Sequence, residues 1–252
     1  MLKLDYRIKH WTMVEPFIIA RRSYDYLECV MVTLTDELGH SGRGETCGVD
    51  YHGESADSIC RQIEVNRERV EAGIERVTLG QCLPAGGARN GLDCALWDLH
   101  CRRNKRSVWE ETGITPGPCI DTAYTIGVVG PEHAGELASK FQAYQTIKIK
   151  ADKHGALETL ANLRRLRPQA RIIIDANQSW DWQRFAQFET RLIDLDVALV
   201  EQPFPADQDA CLADYHGPLK IAADESVHPQ PTWTILWANT MSSISNWTKP
   251  VV

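Results

Sequence analysis

From residue 119 onward, short apolar runs alternate with longer amphipathic stretches, and from Thr146 each run ends on a charged residue. Ile172-Ile173-Ile174 stops at Asp175; three β-branched residues together suit a strand covered on both faces, as in a parallel sheet. Val197-Ala198-Leu199-Val200 stops at Glu201, ahead of Gln202-Pro203, and Leu219-Lys220-Ile221-Ala222-Ala223 stops at Asp224. One unit earlier, Thr146-Ile147-Lys148-Ile149 ends at Lys150. The intervals are 25 residues from 150 to 175, 26 to 201 and 23 to 224, each the length of a strand, a helix and two short loops. The pattern predicts strands at 120–126, 145–150, 171–175, 197–201 and 219–224, with helices at 131–143, 154–166, 180–195 and 207–214. A closed (β/α) barrel needs eight strands and about 200 residues or more. Only 135 residues run from Pro118 to Val252, so the predicted barrel does not close.

The first 117 residues are patterned differently. Strands are predicted at 8–14 and 26–34, a turn at Gly39 to Gly42, and a further strand around Gly44-Glu45-Thr46-Cys47. Glu54-Ser55-Ala56-Asp57 opens a helix with Ile59, Ile63 and Val70 on one face. A second helix follows Pro84-Ala85-Gly86-Gly87, with Leu92, Ala95, Leu96 and Leu99 at helical spacing. Strands followed by helices make an α+β domain. The expected organisation is α/β: an α+β domain at 1–117, the first five βα units of a TIM-type barrel at 118–228, and a tail at 229–252.

Composition narrows the function. The net charge is −7 with no basic cluster, which excludes nucleic acid as the expected partner. No apolar run approaches the length of a membrane span, and the N-terminus has no signal-peptide core, so a cytoplasmic protein without a membrane partner is expected. The eight cysteines are dispersed with no C-x-x-C pair. They are expected to be reduced thiols, mostly packed as small hydrophobes, rather than zinc ligands.

The chemistry lies at the strand ends. In a (β/α) barrel the C-terminal ends of the parallel strands share one face, so Lys150, Asp175, Glu201 and Asp224 are expected to converge. Mg²⁺ prefers carboxylate oxygens and keeps positions for water or substrate. Held by Asp175, Glu201 and Asp224, it would stabilise the enediolate left when a proton departs from carbon next to a carboxylate. Lys150 is the expected base, with Lys148 lowering its pKa by like-charge repulsion and binding substrate oxygen. Singly, each feature is ordinary: an Asp at a strand end caps loops, and Lys-x-Lys lines solvated faces. Their recurrence at βα spacing is what points to a site.

At these residues the sequence resembles the enolase superfamily, in its muconate-lactonizing subgroup, and within that the dipeptide epimerases of the L-Ala-D/L-Glu type. The carrying segments are Pro16 to Arg21, Tyr51-His52-Gly53-Glu54-Ser55, Leu83 to Leu99, Lys148-Ile149-Lys150, Asp175-Ala176-Asn177, Val200-Glu201-Gln202-Pro203 and Ala223-Asp224-Glu225-Ser226. The resemblance implies a capping domain and a modified (β/α)7β barrel, with Mg²⁺ on Asp175, Glu201 and Asp224. It implies Lys150 as one of two acid/base lysines, as the superfamily's lysine bases are known to work beside Mg²⁺. It further implies Arg21 facing the glutamyl end of a small dipeptide substrate, Tyr51, Thr125 and Lys148 contacting that substrate, and Asn177 supporting the ligands from behind. Arg22 stands where such epimerases usually have Gly. The same metal and Lys-x-Lys serve o-succinylbenzoate synthases and muconate cycloisomerases, so the motif does not separate these lyase and cycloisomerase chemistries. The Arg21 loop and the Pro84-to-Leu99 helix favour the epimerases. A third reading is an inactive remnant.

The tail carries a separate expectation. The family's second lysine lies in a segment like Asn-Ile-Lys-Leu-Asp-Lys-Thr-Gly-Gly on the sixth strand, where this chain has Ser243 to Val252. Codons for Asn246-Trp247-Thr248 read in the neighbouring frame force Leu-Asp, and the flanking codons permit the rest of that segment. A frameshift shortly after His228 is therefore expected, with the exposed edge of strand five favouring instability or homo-oligomers and with epimerisation impaired.

Overall fold

The computed structural model describes residues 1–19, 22–49, 52–117, 119–154 and 156–227. Arg21, Tyr51 and the predicted out-of-frame tail lie outside the described residues. The chain divides into two compact units, Met1–Pro16 with Tyr24–Cys119, and Phe17–Ser23 with the described part of Ile120–Val252.

The first unit has a sheet in the order β1 (Leu2–Ile19), β2 (Arg22–Asp36), β3 (Ser41–Thr46), with β2 and β3 antiparallel. Five helices follow: α1 (Ala56–Val65), α2 (Arg67–Glu71), α3 (Arg76–Cys82), α4 (Gly87–Asn104) and α5 (Val108–Thr112). Alternate residues Val30, Val32 and Leu34 are buried with Leu2, Leu4, Ile59, Ile63, Leu92, Ala95 and Leu99 in one core. β1 and β2 run beyond the predicted 8–14 and 26–34 at both ends; within the predicted spans Trp11, Val14, Tyr26 and Leu27 are exposed. The capping box at Ser55 starts α1 as expected, with Ser55 and Ser58 each accepting from the other's backbone N–H. The helix does not run on to Val70. It breaks at Asn66, whose Nδ2 donates to the Gln62 carbonyl at 2.8 Å, the local competition that makes Asn a poor interior residue. α3 escaped prediction because it buries only Leu79, too little to show a period.

β3 lies against α4 through glycine. A Cβ on Gly44 would sit 2.0 Å from the Gly91 carbonyl oxygen and 2.9 Å from the Ala95 nitrogen, both backbone atoms that cannot rotate aside. Gly44→Ala is therefore expected to lower unfolding stability by about 1–3 kcal/mol, read as a shift of the urea midpoint; an unchanged midpoint would show that the contact is slack.

Asp36 closes the β2–β3 turn. Its Oδ1 accepts from the Leu38 and His40 backbone at 3.0 and 2.8 Å, and its Oδ2 from Arg103 Nε at 2.8 Å. Burial alone would raise the carboxyl, but the hydrogen bonds from Arg103 and His40 outweigh it and hold Asp36 well below the usual range. Folding thus favours the ionised form. That stability is in place above the ordinary carboxylate value of about 3.9 and drains away as pH falls through and below it. The melting-temperature gap between the wild type and Asp36→Asn should accordingly shrink between pH 6 and pH 3. A pH-independent gap would assign it to packing instead.

The second unit is a five-stranded parallel sheet in sequence order: β4 (Ala123–Ile126), β5 (Thr146–Lys150), β6 (Arg171–Asp175), β7 (Val197–Glu201), β8 (Ile221–Ala222). The intervening helices are α6 (Pro131–Lys140), α7 (Leu157–Leu166) and α8 (Trp182–Asp194), and the short helix predicted at 207–214 is a 3-10 helix at Asp209–Asp214. This is the parallel sheet of an incomplete TIM-type barrel, and the first unit is an antiparallel-sheet α+β domain, both as expected. Ile147, Ile149, Ile172, Ile174, Val200 and Ile221 point to the helix side and are buried with Leu160, Leu163, Phe185 and Leu192. The described end of β1 also belongs to this unit. Val128 N donates to the Ile18 carbonyl at 2.9 Å, and a Cβ on Gly127 would lie 2.5 Å from that oxygen, so only glycine allows the approach.

The cysteines are all free, but the expectation that most are packed is corrected: only Cys29 and Cys101 are buried, while Cys82, Cys94, Cys119 and Cys211 are exposed. Dispersion along a sequence says nothing about which face of a helix or loop a thiol occupies. Among the described residues no helix is long and apolar enough to cross a membrane.

Candidate active site

Register places the candidate residues before any side-chain detail does. Lys150 pairs with Asp175, and Asp175 with Glu201, so the last residues of β5, β6 and β7 form one row across the sheet. In-register neighbours of a parallel sheet project to the same face. Glu201 pairs with Ala222, and Asp224 follows two residues later. One layer deeper, Thr125 pairs with Lys148 and Lys148 with Ile173 on that same face. β7 needs an irregularity to join the row. Its pairing with β6 jumps from Ile172–Val197 to Ile173–Leu199, leaving Ala198 as an extra residue, and this jump brings Glu201 into line with Asp175.

The side chains meet. Lys150 Nζ donates to Asp175 Oδ2 at 2.6 Å, and Lys148 Nζ lies 2.8 Å from that same oxygen and 2.8 Å from Glu201 Oε1. Asp175 is completely buried, whereas Lys148, Lys150 and Glu201 keep 20%, 13% and 17% of their side-chain surface, so the group opens to solvent on one side. Burial would lower the Lys148 ammonium, but hydrogen bonds to Asp175 and Glu201 outweigh it and keep it charged. The Glu201 carboxyl is pushed up by burial, by the Asp175 charge and, more weakly, by Asp224, against the pull of Lys148. Asp224, itself exposed, adds to the upward push on Glu201.

The loops that leave these strands turn sharply. Asn177, Gln178 and Gln202 all adopt left-handed backbone, at φ 43°, 64° and 33°. Non-glycine residues hold such conformations only when their surroundings fix them. Asn177 N donates to Asp175 Oδ1 at 2.9 Å, and Asn177 Nδ2 reaches Glu225 Oε1 at 3.4 Å, linking the ends of β6 and β8. Gln202, quoted in the sequence only as part of a motif, is buried and bonded to the Asp224 and Ser226 backbone. No signal in a single sequence shows that its amide reaches a segment more than 20 residues ahead.

The residues present fit a divalent cation. The donors are carboxylates, the ligand type Mg²⁺ selects, and two of them already share one cation, the Lys148 ammonium. Next to the acids in sequence, Asn177 Oδ1 and Glu225 Oε2 are buried without a hydrogen-bond partner among the described residues. As placed, no three acidic, imidazole or thiol groups among the described residues gather tightly enough to hold an ion; Asp224 is exposed. Arg21 and Tyr51, expected on the substrate, lie outside the described residues.

Known proteins share these domains and this fold. Residues 3–113 match the mandelate racemase/muconate lactonizing enzyme N-terminal domain, and residues 132–239 the enolase C-terminal domain-like family. The chain is 41% identical over 220 residues to the L-Ala-D/L-Glu epimerase of Escherichia coli, covering 86% of this chain and 68% of that protein. It is 34% identical to the N-acetyl-D-glutamate racemase of a Pseudoalteromonas species over 59% of this chain, spanning only 47% of that relative. Among solved structures, an enolase family member from Agrobacterium tumefaciens with homology to dipeptide epimerases, bound to sodium and L-Ala-L-Glu, superposes with a TM-score of 0.90. It is 32% identical, over 95% of this chain and 73% of that one. A dipeptide epimerase from Methylococcus capsulatus complexed with Mg and L-Arg-D-Lys has a TM-score of 0.81 at 25% identity, over 89% of this chain and 68% of that one. With both domains matched in order and a 41% identical relative of which it spans more than two thirds, the chain belongs to the enolase superfamily, in the mandelate racemase/muconate lactonizing group and among its dipeptide epimerases, isomerases of amino-acid derivatives.

Proposed function

We propose that the site removes the α-proton of a dipeptide's C-terminal residue, as the base-catalysed half of a Mg²⁺-dependent epimerisation of the L-Ala-D/L-Glu type. The observation that carries the reading is the single row Lys150–Asp175–Glu201 at in-register strand ends, with both lysine amines on one Asp175 oxygen. Asp175, Glu201 and Asp224 would hold the ion. When bound, Mg²⁺ supplies positive charge against the second negative charge that develops on the substrate carboxylate. Lys150, at the end of its strand, takes the proton on Nζ. Lys148, one layer deeper and kept charged by Asp175 and Glu201, offers its ammonium to a substrate carboxylate oxygen. Thr125, in register beside Lys148, would contact the same substrate from β4. Asn177 braces the β6 loop through Asp175 Oδ1. Arg21 is assigned to the glutamyl end and Tyr51 to the substrate by resemblance alone.

Epimerisation needs a second base on the opposite face of the planar carbon; Lys148 and Lys150 share one strand face and serve one side. Solvent deuterium therefore gives the cleanest test. L-Ala-L-Glu and L-Ala-D-Glu incubated with the chain and Mg²⁺ in D₂O should gain α-deuterium in at least one epimer, followed by NMR, and chelation should stop the exchange. Absence of exchange in both epimers at saturating Mg²⁺ would overturn the reading.

A further inference from the structure

We propose that Gln202 is a positioning residue for the cation site: its side-chain amide fixes the loop that presents Asp224, and so sets divalent-cation affinity. The inference rests on the metal reading above and goes beyond it. β8 consists of Ile221 and Ala222 alone, so sheet hydrogen bonds end before Asp224 is reached. What fixes the next residues is Gln202. Its Oε1 accepts from Asp224 N at 2.8 Å and from Ser226 N at 3.1 Å. Its Nε2 donates to the Phe204 carbonyl at 3.0 Å and to Ser226 Oγ at 2.7 Å. Two bonds accepted and two donated exhaust the capacity of a primary amide. Ser226 Oγ in turn donates to Asp209 Oδ2 at 2.5 Å, anchoring the far end of the network in the 3-10 helix.

The backbone aims this amide. Gln202 is 1% exposed and left-handed at φ 33°, and its N–H bonds the Ala222 carbonyl at 2.8 Å. Glu201 and Gln202 are consecutive, so one strand end offers a carboxylate to the cation and, one residue later, clamps the segment carrying another. An apolar side chain of equal volume would fill the space but bind neither Asp224 N nor Ser226 N. Groups that orient metal ligands without touching the ion are commonly worth ten- to a hundredfold in affinity.

The test is calorimetric titration of the full-length chain with MgCl₂, which reads binding without turnover. Gln202→Met should weaken Mg²⁺ by at least about tenfold, and Ser226→Ala by a smaller but measurable factor of about three. Tyr215→Phe supplies the control for general loosening: Tyr215 Oη donates to Glu189 Oε1 at 2.7 Å and accepts from Leu219 N at 3.3 Å within the same unit, away from the acids, so its loss should leave Mg²⁺ affinity unchanged. Gln202→Met binding Mg²⁺ within twofold of wild type overturns the proposal, as does an equal loss in Tyr215→Phe. If Gln202→Met does not fold, Ser226→Ala decides, and wild-type affinity there overturns it. A wild-type chain that takes up no Mg²⁺ removes the metal reading itself and this inference with it, an outcome distinct from intact binding in every variant.

Discussion

Lys150→Met will reduce α-deuterium incorporation into the dipeptide by about a thousandfold while leaving Mg²⁺ binding in place. A positioned base contributes about 10²–10⁴-fold to a proton transfer, and methionine matches the lysine stem without an amine. Lys150 stands at the same level of the sheet as Asp175 and Glu201, so a group taking a proton there works beside the cation that stabilises the product charge. Lys148 cannot take over. It lies one layer deeper and is pinned between two carboxylates, Asp175 and Glu201, whereas Lys150 is bonded to Asp175 alone among the described residues. Lys148→Met should therefore act differently, weakening substrate binding together with exchange. Exchange in Lys150→Met at more than a tenth of the wild-type rate would assign the base elsewhere.

Asp175→Asn will abolish the Mg²⁺-induced rise in melting temperature and also lower stability without the metal. The two effects have separate causes. The first is loss of the acid at the centre of the row; a ligand bound by the native state alone stabilises it by mass action, and that gain vanishes with the site. The second arises because Asp175 Oδ2 is the common partner of two ammonium groups, at 2.8 and 2.6 Å. Neutralising this fully buried acid strands Lys150 and leaves Lys148 with Glu201 alone, and removing one partner of a buried ion pair costs about 3–5 kcal/mol. The lysines reach some solvent, so the lower end, about 3 kcal/mol, is expected. Adding Lys150→Met to Asp175→Asn should recover part of this loss, since one stranded charge goes with it. A metal-free stability equal to wild type would contradict the pairing described here.

Much of this was legible in the sequence because barrel chemistry is written in register. A strand that ends on a charge, repeated every 23 to 26 residues, places Lys150, Asp175 and Glu201 in one row whatever the helices contain. The β-branched runs mark β6 for the same reason, since a strand covered by helices leaves little room for polar residues. What stayed hidden depends on local geometry. The break at Asn66 turns on one side-chain hydrogen bond, and the extra residue at Ala198 on a register jump that no periodicity shows. The hydrogen bond from Val128 N to the distant Ile18 carbonyl is likewise a tertiary fact. Gln202 reads as any amide after a strand until its partners 22 and 24 residues ahead are known. The exposed cysteines were misjudged because residue type alone does not assign a face.

The central claim is that Asp175, Glu201 and Asp224 hold one divalent ion within reach of Lys150. Anomalous scattering from crystals of the full chain grown with Mn²⁺ tests it directly. The account predicts one strong peak bonded to a carboxylate oxygen of each of the three acids, with Lys150 Nζ facing the open side of the ion. A peak bound elsewhere, or none beside Asp175 and Glu201 at saturating Mn²⁺, would contradict it.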